Sequence, residues 1–142
     1  MPFTFDTQEQ AEARDLQAVD AGLDEYNLAE PAIHQVRQLS VFARDELGQV
    51  KGGAVGRTWG QCCELQQLWV AEERRGQGIG AALMERFELE ASHRGCTLVY
   101  LETFSFQAHP FYERNGYSVA LKTKGFTQGV VKYTMQKVLG KG

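Results

Sequence analysis

The sequence predicts a single α/β domain, spanning residues 1–142, with a mixed, mostly antiparallel sheet, a central parallel pair of strands and flanking helices. Two observations carry this prediction. Three strand-like runs lie between residues 38 and 71, and their links are so short that neighbouring strands should pair antiparallel. A helical pattern then separates a strand from a second apolar run, which is the order of a crossover between parallel strands.

The composition is that of a soluble globular protein, with 43% hydrophobic and 23% charged residues in a chain of 142. A net charge of −3 provides no basic surface for nucleic acid, so no such partner is expected. No signal peptide and no long apolar segment is visible, and we expect a cytoplasmic protein without membrane contact. Cys62, Cys63 and Cys96 have the spacing of neither a disulfide framework nor a zinc site, so we expect reduced thiols and no metal.

The N-terminal part predicts a short strand at residues 3–5 followed by a helix. Thr7 is a candidate N-cap for this helix. Apolar residues then recur at helical spacing up to about Tyr26, and a loop through Pro31 should follow. The recurring residues are Leu16, Val19, Leu23 and Tyr26.

The middle of the chain predicts three strands, with turns at residues 45–49 and 59–61. From Gly76 the apolar period changes to that of a helix ending near Arg94 and Gly95. One face of this helix carries Gly80, Leu83, Met84, Phe87 and Ala91.

The last third predicts a buried strand, a short helix and a closing hairpin. The run "CTLVYLETFSF" is apolar enough for a strand covered on both faces. "HPFYERNGY" fits a short helix with Pro110 in its first turn and Asn115–Gly116 as a left-handed stop. Residues 118–125 and 130–139 can then pair as strands through a turn at 126–129.

The stretch "RRGQGIGAAL" raises the question of an anion site before the central helix. A Walker A loop is excluded because Gly80 is followed by two alanines instead of Lys and Ser or Thr. A dinucleotide fingerprint is disfavoured, since three antiparallel strands precede it. A turn of bare amides at a helix N-terminus could cradle a pyrophosphate, with Arg74 and Arg75 adding charge. A glycine-rich turn with two solvated arginines remains the alternative.

Two motifs resemble the GNAT superfamily of acetyl-CoA-dependent N-acetyltransferases. "RGQGIG" from Arg75 to Gly80 is similar to that family's [RQ]-x-x-G-x-[GA] signature. "QAHPFYERNGY" is similar to the short helix after the family's fifth strand. The strong motifs lie between about residues 62 and 118, and the strand order extends the resemblance over most of the chain. It implies the GNAT fold.

The resemblance implies that acetyl-CoA enters where the two central parallel strands splay apart. Main-chain groups at the end of the third strand would pair with the pantetheine arm, and one N–H near Val70 would polarise the thioester carbonyl. The amides from Gly76 to Ala81 would hold the pyrophosphate, and Gly78 and Gly80 would matter by having no side chain. The implied cofactor-binding residues are Leu68, Trp69, Val70, Arg75, Gly76, Gln77, Gly78, Ile79, Gly80 and Ala81.

The resemblance also implies candidate catalytic residues. Tyr112 matches the family tyrosine beside the departing sulfur, although it could simply pack near Tyr117. Glu64 is a candidate base, against the alternative of a solvated glutamate. Its even offset from Val70 keeps it on the same face unless a bulge intervenes. His109 is a second candidate base, and Glu102 could instead line the amine site.

The acceptor is expected to be a small-molecule or peptide amine, which no motif identifies. The resemblance also implies a homodimer through the terminal strands. Two other functions stay open at this level: a non-catalytic acyl-CoA-binding module, and a nucleotide-dependent oxidoreductase.

Overall fold

The computed structural model describes residues 2–140, which divide into two compact units, 2–35 and 36–140. The first unit contains helix α1, Ala13–Leu28, and a short 3-10 helix, Pro31–Gln35. Residues 3–5 form no strand, and the N-cap of α1 is Glu12 rather than Thr7. The predicted strand is absent because a strand needs a paired neighbour. The predicted N-cap was wrong because the apolar helical spacing starts only at Leu16, within the first turn of the observed helix.

The second unit carries a six-stranded sheet in the order β1-β2-β3-β4-β6-β5. The pairing of β3 with β4 is parallel and the other pairings are antiparallel, which confirms the predicted mixed sheet. The elements are β1 (Arg37–Arg44), β2 (Val50–Trp59), β3 (Cys62–Val70), α2 (Ile79–His93), β4 (Leu98–Phe104), α3 (His109–Arg114), β5 (Ser118–Thr123) and β6 (Lys132–Val138).

Two details of the central crossover differ from the sequence prediction. Helix α2 begins at Ile79, because the preceding turn places Gly76 and Gly78 at positive φ, which ends helical geometry there. Strand β4 is not covered on both faces. Val99 and Leu101 are buried, whereas Glu102 on the alternate face is exposed, so β4 has one core face. The short helix and its glycine stop are confirmed, with Gly116 at φ +93.

The core lies between α2 and one face of the sheet. Leu83, Met84, Phe87 and Ala91, all from the predicted apolar face of α2, are buried there. They belong to one cluster with buried residues of five strands, among them Leu39, Ala54, Leu65, Leu101 and Met135. Each large side chain contributes roughly 1.5–3 kcal/mol when fully buried. This packing holds the helix, and hence the glycine turn before it, against the sheet.

A bulge in β3 and an open seam beside it shape the middle of the sheet. Val55 pairs with Gln67 and Gly56 with Leu65, so Gln66 is the extra residue of a bulge. The pairing of β3 with β4 ends at Leu65 and Leu101. Beyond this point β3 remains paired with β2, and β4 remains paired with β6, leaving a seam between them.

The three cysteines are free thiols, with Cys62 exposed and the other two buried. Burial raises the pKa of Cys63 to about 12. Within residues 2–140, no group of three or more His, Cys, Asp and Glu side chains is arranged to hold a metal ion. None of the helices in this part of the chain has both the length and the apolar character needed to span a membrane.

A substitution at Gly56 tests how tightly the chain packs at the bulge. A Cβ at this position would overlap the Glu64 carbonyl oxygen and approach Phe87 Cζ to 2.9 Å. We therefore expect Gly56→Ala to lower the free energy of unfolding by roughly 1–3 kcal/mol or more, because backbone must shift to make room. The measurement is urea denaturation. Gly22→Ala, with open space around the same added atom, is the control and should lose no stability. Equal stability of both variants would contradict the tight packing at the bulge.

Candidate active site

The first of two cavities at the seam, here called the loop cavity, has a volume of about 830 Å³. It is bounded by the end of β3, the glycine turn before α2, and α3. All the predicted cofactor-binding residues except Gln77 line it. The other lining residues are Arg74, Gln107, Ala108, Phe111, Arg114 and Asn115.

The main chain at the end of β3 offers unpaired groups to the seam. The Ala71 N–H donates to the Lys51 carbonyl at 2.8 Å. Because hydrogen-bonded and non-hydrogen-bonded positions alternate in an antiparallel pair, Trp69 then bonds with β2. Leu68 and Val70 consequently direct their main-chain groups away from β2, towards the side that β4 has left. The main chain of Trp69 is engaged within the sheet.

The glycine turn has two kinds of glycine. Gly76 and Gly78 have φ values of +78 and +81, and an added Cβ would meet nothing within 4 Å at either position. Gly80 is different, since its Cβ would lie 3.2 Å from the Phe111 ring. Gly80 therefore serves the packing of α3 on α2, in addition to lining the loop cavity. The sequence placed Gly80 both in the turn and on the apolar face of the helix, and the structure identifies Phe111 of α3 as its packing partner.

The turn is also positively charged. The first amides of α2 lack intrahelical partners and carry the positive end of the helix dipole. Arg74 and Arg75 line the same cavity. The Arg75 Nε donates to the Val70 carbonyl oxygen at 3.0 Å, which fixes the side chain across the mouth of the seam. Amides, dipole and guanidinium groups together form an environment suited to an anion.

The second cavity, here called the sheet cavity, has a volume of about 530 Å³. It shares Leu68, Trp69, Gln107 and Ala108 with the loop cavity, so the two meet at the seam. The last hairpin, β5 and β6, contributes no lining residue to it among residues 2–140. The remaining lining residues are Phe42, Val50, Gly53, Val55, Gln66, Gln67, Glu102, Thr103 and Tyr112.

Tyr112 lies in the wall of the sheet cavity. Its ring makes edge contacts with Phe111 at 5.3 Å and Tyr117 at 5.8 Å between centroids, which hold its orientation. Burial raises its pKa to about 12. Within residues 2–140 its hydroxyl has no side-chain hydrogen-bond partner, so the hydroxyl hydrogen is available to a molecule in the cavity.

Glu64 lies outside both cavities. The Gln66 bulge reverses the alternation of β3, so Glu64 and Val70 point to opposite faces despite their even offset. The expected shared face is therefore wrong. The carboxylate of Glu64 accepts a hydrogen bond from the Arg57 Nε at 3.0 Å, in an ion pair across β2 and β3. Its role as base stays a prediction of the family resemblance.

His109 and Glu102, the other two candidates, have different surroundings in the structure. His109 stacks on Tyr133 with ring centroids 4.4 Å apart, and it lines neither cavity. Its Nδ1 atom is buried without a partner. Glu102 lines the sheet cavity and forms an ion pair with Lys132 at 2.9 Å. This position agrees with the expectation that Glu102 could line the amine site.

Gln107 is a site residue that the sequence reasoning missed. Its Oε1 accepts from the Phe104 N–H at 2.9 Å and lies 3.3 Å from the Thr103 Oγ1. These contacts hold the turn after β4 where both cavities meet. It is the first residue of the recognised motif "QAHPFYERNGY", but the sequence assigned it no role.

The comparison with known families decides the identity of this site. A family model described as "Acetyltransferase (GNAT) domain" matches residues 37–119. The chain belongs to the GNAT acetyltransferase family. It is an acetyl-CoA-dependent N-acetyltransferase, and acetyl-CoA is its cosubstrate.

Related proteins agree with this family assignment. The chain is 34% identical over 111 residues to a blasticidin-S acetyltransferase of Streptomyces morookaense, covering 75% of this chain and 82% of that protein. It is 31% identical to a proposed acetyltransferase from Agrobacterium tumefaciens, whose crystal structure matches with a TM-score of 0.81 over 96% of this chain and all of that one.

An acetyl-CoA complex shares the fold. The structure of a proposed streptothricin acetyltransferase from Bacillus anthracis, with acetyl coenzyme A bound, has a TM-score of 0.65 at 20% identity. The match covers 72% of this chain and 63% of that protein.

The burial of Tyr112 can be tested by titrating its hydroxyl. We expect a difference titration, wild type minus Tyr112→Phe by ultraviolet absorption, to show ionisation near pH 12. An ordinary tyrosine ionises near 10. Since the folded pKa is raised above the unfolded one, the contribution of Tyr112 to stability is complete below about pH 10 and declines towards pH 12. Ionisation of Tyr112 near 10 would contradict its burial.

Proposed function

We propose that this acetyltransferase moves the acetyl group of acetyl-CoA to the primary amine of a small molecule at the seam between β3 and β4. The observation that carries the proposal is the junction of two cavities at residues Leu68, Trp69, Gln107 and Ala108. One cavity suits a phosphate-bearing chain and the other suits an acceptor. The amine nitrogen attacks the thioester carbonyl carbon, the carbon–sulfur bond breaks, and CoA leaves as a thiolate.

The loop cavity binds the cosubstrate largely through backbone. The main-chain groups of Leu68 pair with the pantetheine arm, in the place that a continuing β4 would occupy. The Val70 carbonyl already accepts from Arg75, so the N–H is the group that Val70 offers. The pyrophosphate lies against the amides from Gly76 to Ala81, supported by Arg74 and Arg75. Small residues in the turn permit the close approach that such backbone recognition requires.

The Val70 N–H is placed to stabilise negative charge on the thioester oxygen. It points into the seam, because the adjacent ladder position at Ala71 is the one bonded to β2. Removing one preorganised donor of this kind typically lowers kcat by about 10²–10³-fold. The bond from Arg75 to the Val70 carbonyl steadies this end of the strand.

Tyr112 donates a hydrogen bond to the departing sulfur. Its raised pKa keeps the hydroxyl protonated at neutral pH. Full proton transfer to a thiolate with a pKa of about 8.5 would be uphill by about 5 kcal/mol, at about 1.4 kcal/mol for each pKa unit. A hydrogen bond that stabilises the thiolate is therefore the assigned role, and the final proton comes from solvent.

Glu102 receives the acceptor amine in the sheet cavity. It is the carboxylate among the lining residues, and an ammonium group would be drawn to it before losing its proton through water. Glu64 remains the base that the family resemblance predicts, although Arg57 engages it outside the cavity. The similarity to a blasticidin-S acetyltransferase supports a small-molecule acceptor over a peptide. A homodimer through the terminal strands stays a prediction.

The pyrophosphate site can be tested with a matched glycine pair. Gly78 and Gly48 have nearly the same φ, +81 and +79, and open space around an added Cβ. Replacing either by Ala should cost roughly 1–2 kcal/mol of stability through backbone strain. Only Gly78→Ala should weaken acetyl-CoA binding, by about 10-fold or more, equivalent to about 1.4 kcal/mol. Titration calorimetry measures this, and equal affinity in both variants would contradict the assigned cradle.

The role of Tyr112 can be tested by removing its hydroxyl. Tyr112→Phe should lower kcat by about 10²-fold, the range typical of a lost transition-state hydrogen bond. The KM for acetyl-CoA should change little, because the phenyl ring still packs against Phe111 and Tyr117. Steady-state kinetics with a saturating amine provides the comparison. Tyr133→Phe, outside both cavities, is the control, and a kcat equal to that control would exclude the role.

A further inference from the structure

We propose that the sheet cavity selects acceptor amines whose body is a flat aromatic or heteroaromatic ring, seated against the side chains of Phe42 and Trp69 in the row, here called the slot, that they form with Gly53. This inference rests on the proposed acetyl transfer at the seam and names the class of acceptor. Phe42, Gly53 and Trp69 are the specificity-determining residues.

The strand register places these three residues in one row. Phe42 of β1 pairs with Gly53 of β2, and Gly53 pairs with Trp69 of β3. Directly opposed residues of neighbouring strands point to the same face, so the two aromatic side chains flank a position without a side chain. All three line the sheet cavity.

The two aromatic side chains present apolar surface to the cavity. Two strand spacings separate the backbones of Phe42 and Trp69 by about 9–10 Å, and the edge of the Phe42 ring lies close to Gly53 between them. A flat acceptor ring can stack on these aromatic surfaces. The side chains of Phe42 and Trp69 are 48% and 51% exposed, leaving wide apolar surfaces for such a ring to cover. A flat ring fits beside them better than a puckered saturated ring of similar size.

Gly53 provides room for the Phe42 ring. A Cβ at this position would lie 3.2 Å from Phe42 Cδ1 and 3.4 Å from the Val41 carbonyl oxygen. An added methyl group would displace the Phe42 ring and so change the aromatic surface that the cavity offers. Gly53 lies in the middle of β2 and not in a turn, so we attribute the glycine at this position to its two aromatic neighbours, Phe42 and Trp69.

Charge distinguishes the two ends of the sheet cavity. The Arg44 guanidinium lies 5.7 Å from the centroid of Phe42, and it donates to the Gly48 carbonyl at 3.2 Å. Arg44 thus adds a positive charge near the aromatic side of the cavity. The carboxylate of the cavity is that of Glu102 on β4, across the seam, and Lys132 pairs with it at 2.9 Å. An acceptor ammonium would share this exposed carboxylate with Lys132, while its neutral ring lies at Phe42 and Trp69.

The test compares 2-phenylethylamine with 2-cyclohexylethylamine, which carry the same amine and linker on a flat and a puckered ring. We expect wild-type kcat/KM to be at least 10-fold higher for the flat amine. Trp69→Leu and Gly53→Ala should reduce this preference to about 2-fold or less.

Trp59→Leu is the matched control, because Trp59 is a comparably exposed tryptophan on the same sheet but outside the cavity. It should retain the wild-type preference. Equal turnover of the two amines by the wild type, or a preference that survives both slot substitutions, would overturn the inference and leave acetyl transfer standing. If the protein binds acetyl-CoA but acetylates neither test amine nor any member of a panel of aliphatic and polyamine acceptors, the proposed function and this inference are both overturned.

Discussion

The pairing of β3 with β4 ends at Leu65 and Leu101, and the remaining features of the site depend on that separation. β3 follows β2 through the Gln66 bulge, and β4 follows β6 as far as Phe104. A bulge bends and twists its strand, which gives the separation a local physical cause. Unpaired main-chain groups inside a sheet are unfavourable unless something binds them, so the seam is a ready position for an extended ligand.

The two cavities at this seam recognise their ligands by different means. The loop cavity presents amides, a helix N-terminus and guanidinium groups, which suit the constant phosphate-bearing part of acetyl-CoA. The sheet cavity presents aromatic rings, amide side chains, one carboxylate and Tyr112, which suit a particular acceptor. Backbone recognition tolerates changes in side chains, whereas the acceptor side depends on residue identity. Under the proposed function, the fold thus separates a donor site made largely of backbone from an acceptor site made of side chains.

Local patterns in the sequence were sufficient for most elements of the second unit, including those around the loop cavity. The glycine turn, the apolar face of α2 and the helix around Tyr112 are each encoded within a few neighbouring residues. Features that depend on register were not accessible. The Gln66 bulge, which turns Glu64 away from Val70, has no signature in "CELQQLWV". The row of Phe42, Gly53 and Trp69 joins three strands and becomes visible only when they are aligned. The contact of Gly80 with Phe111 was likewise not visible in the sequence, because the two residues are distant in the chain.

The central claim is that the free main-chain groups of β3 bind acetyl-CoA as an absent strand would. Amide hydrogen exchange, resolved by residue with and without acetyl-CoA, tests it most directly. We expect the N–H groups of Leu68 and Val70 to gain protection on binding, whereas Trp69, already bonded to β2, should change little. Unchanged exchange at Leu68 and Val70 under saturating acetyl-CoA would contradict the account.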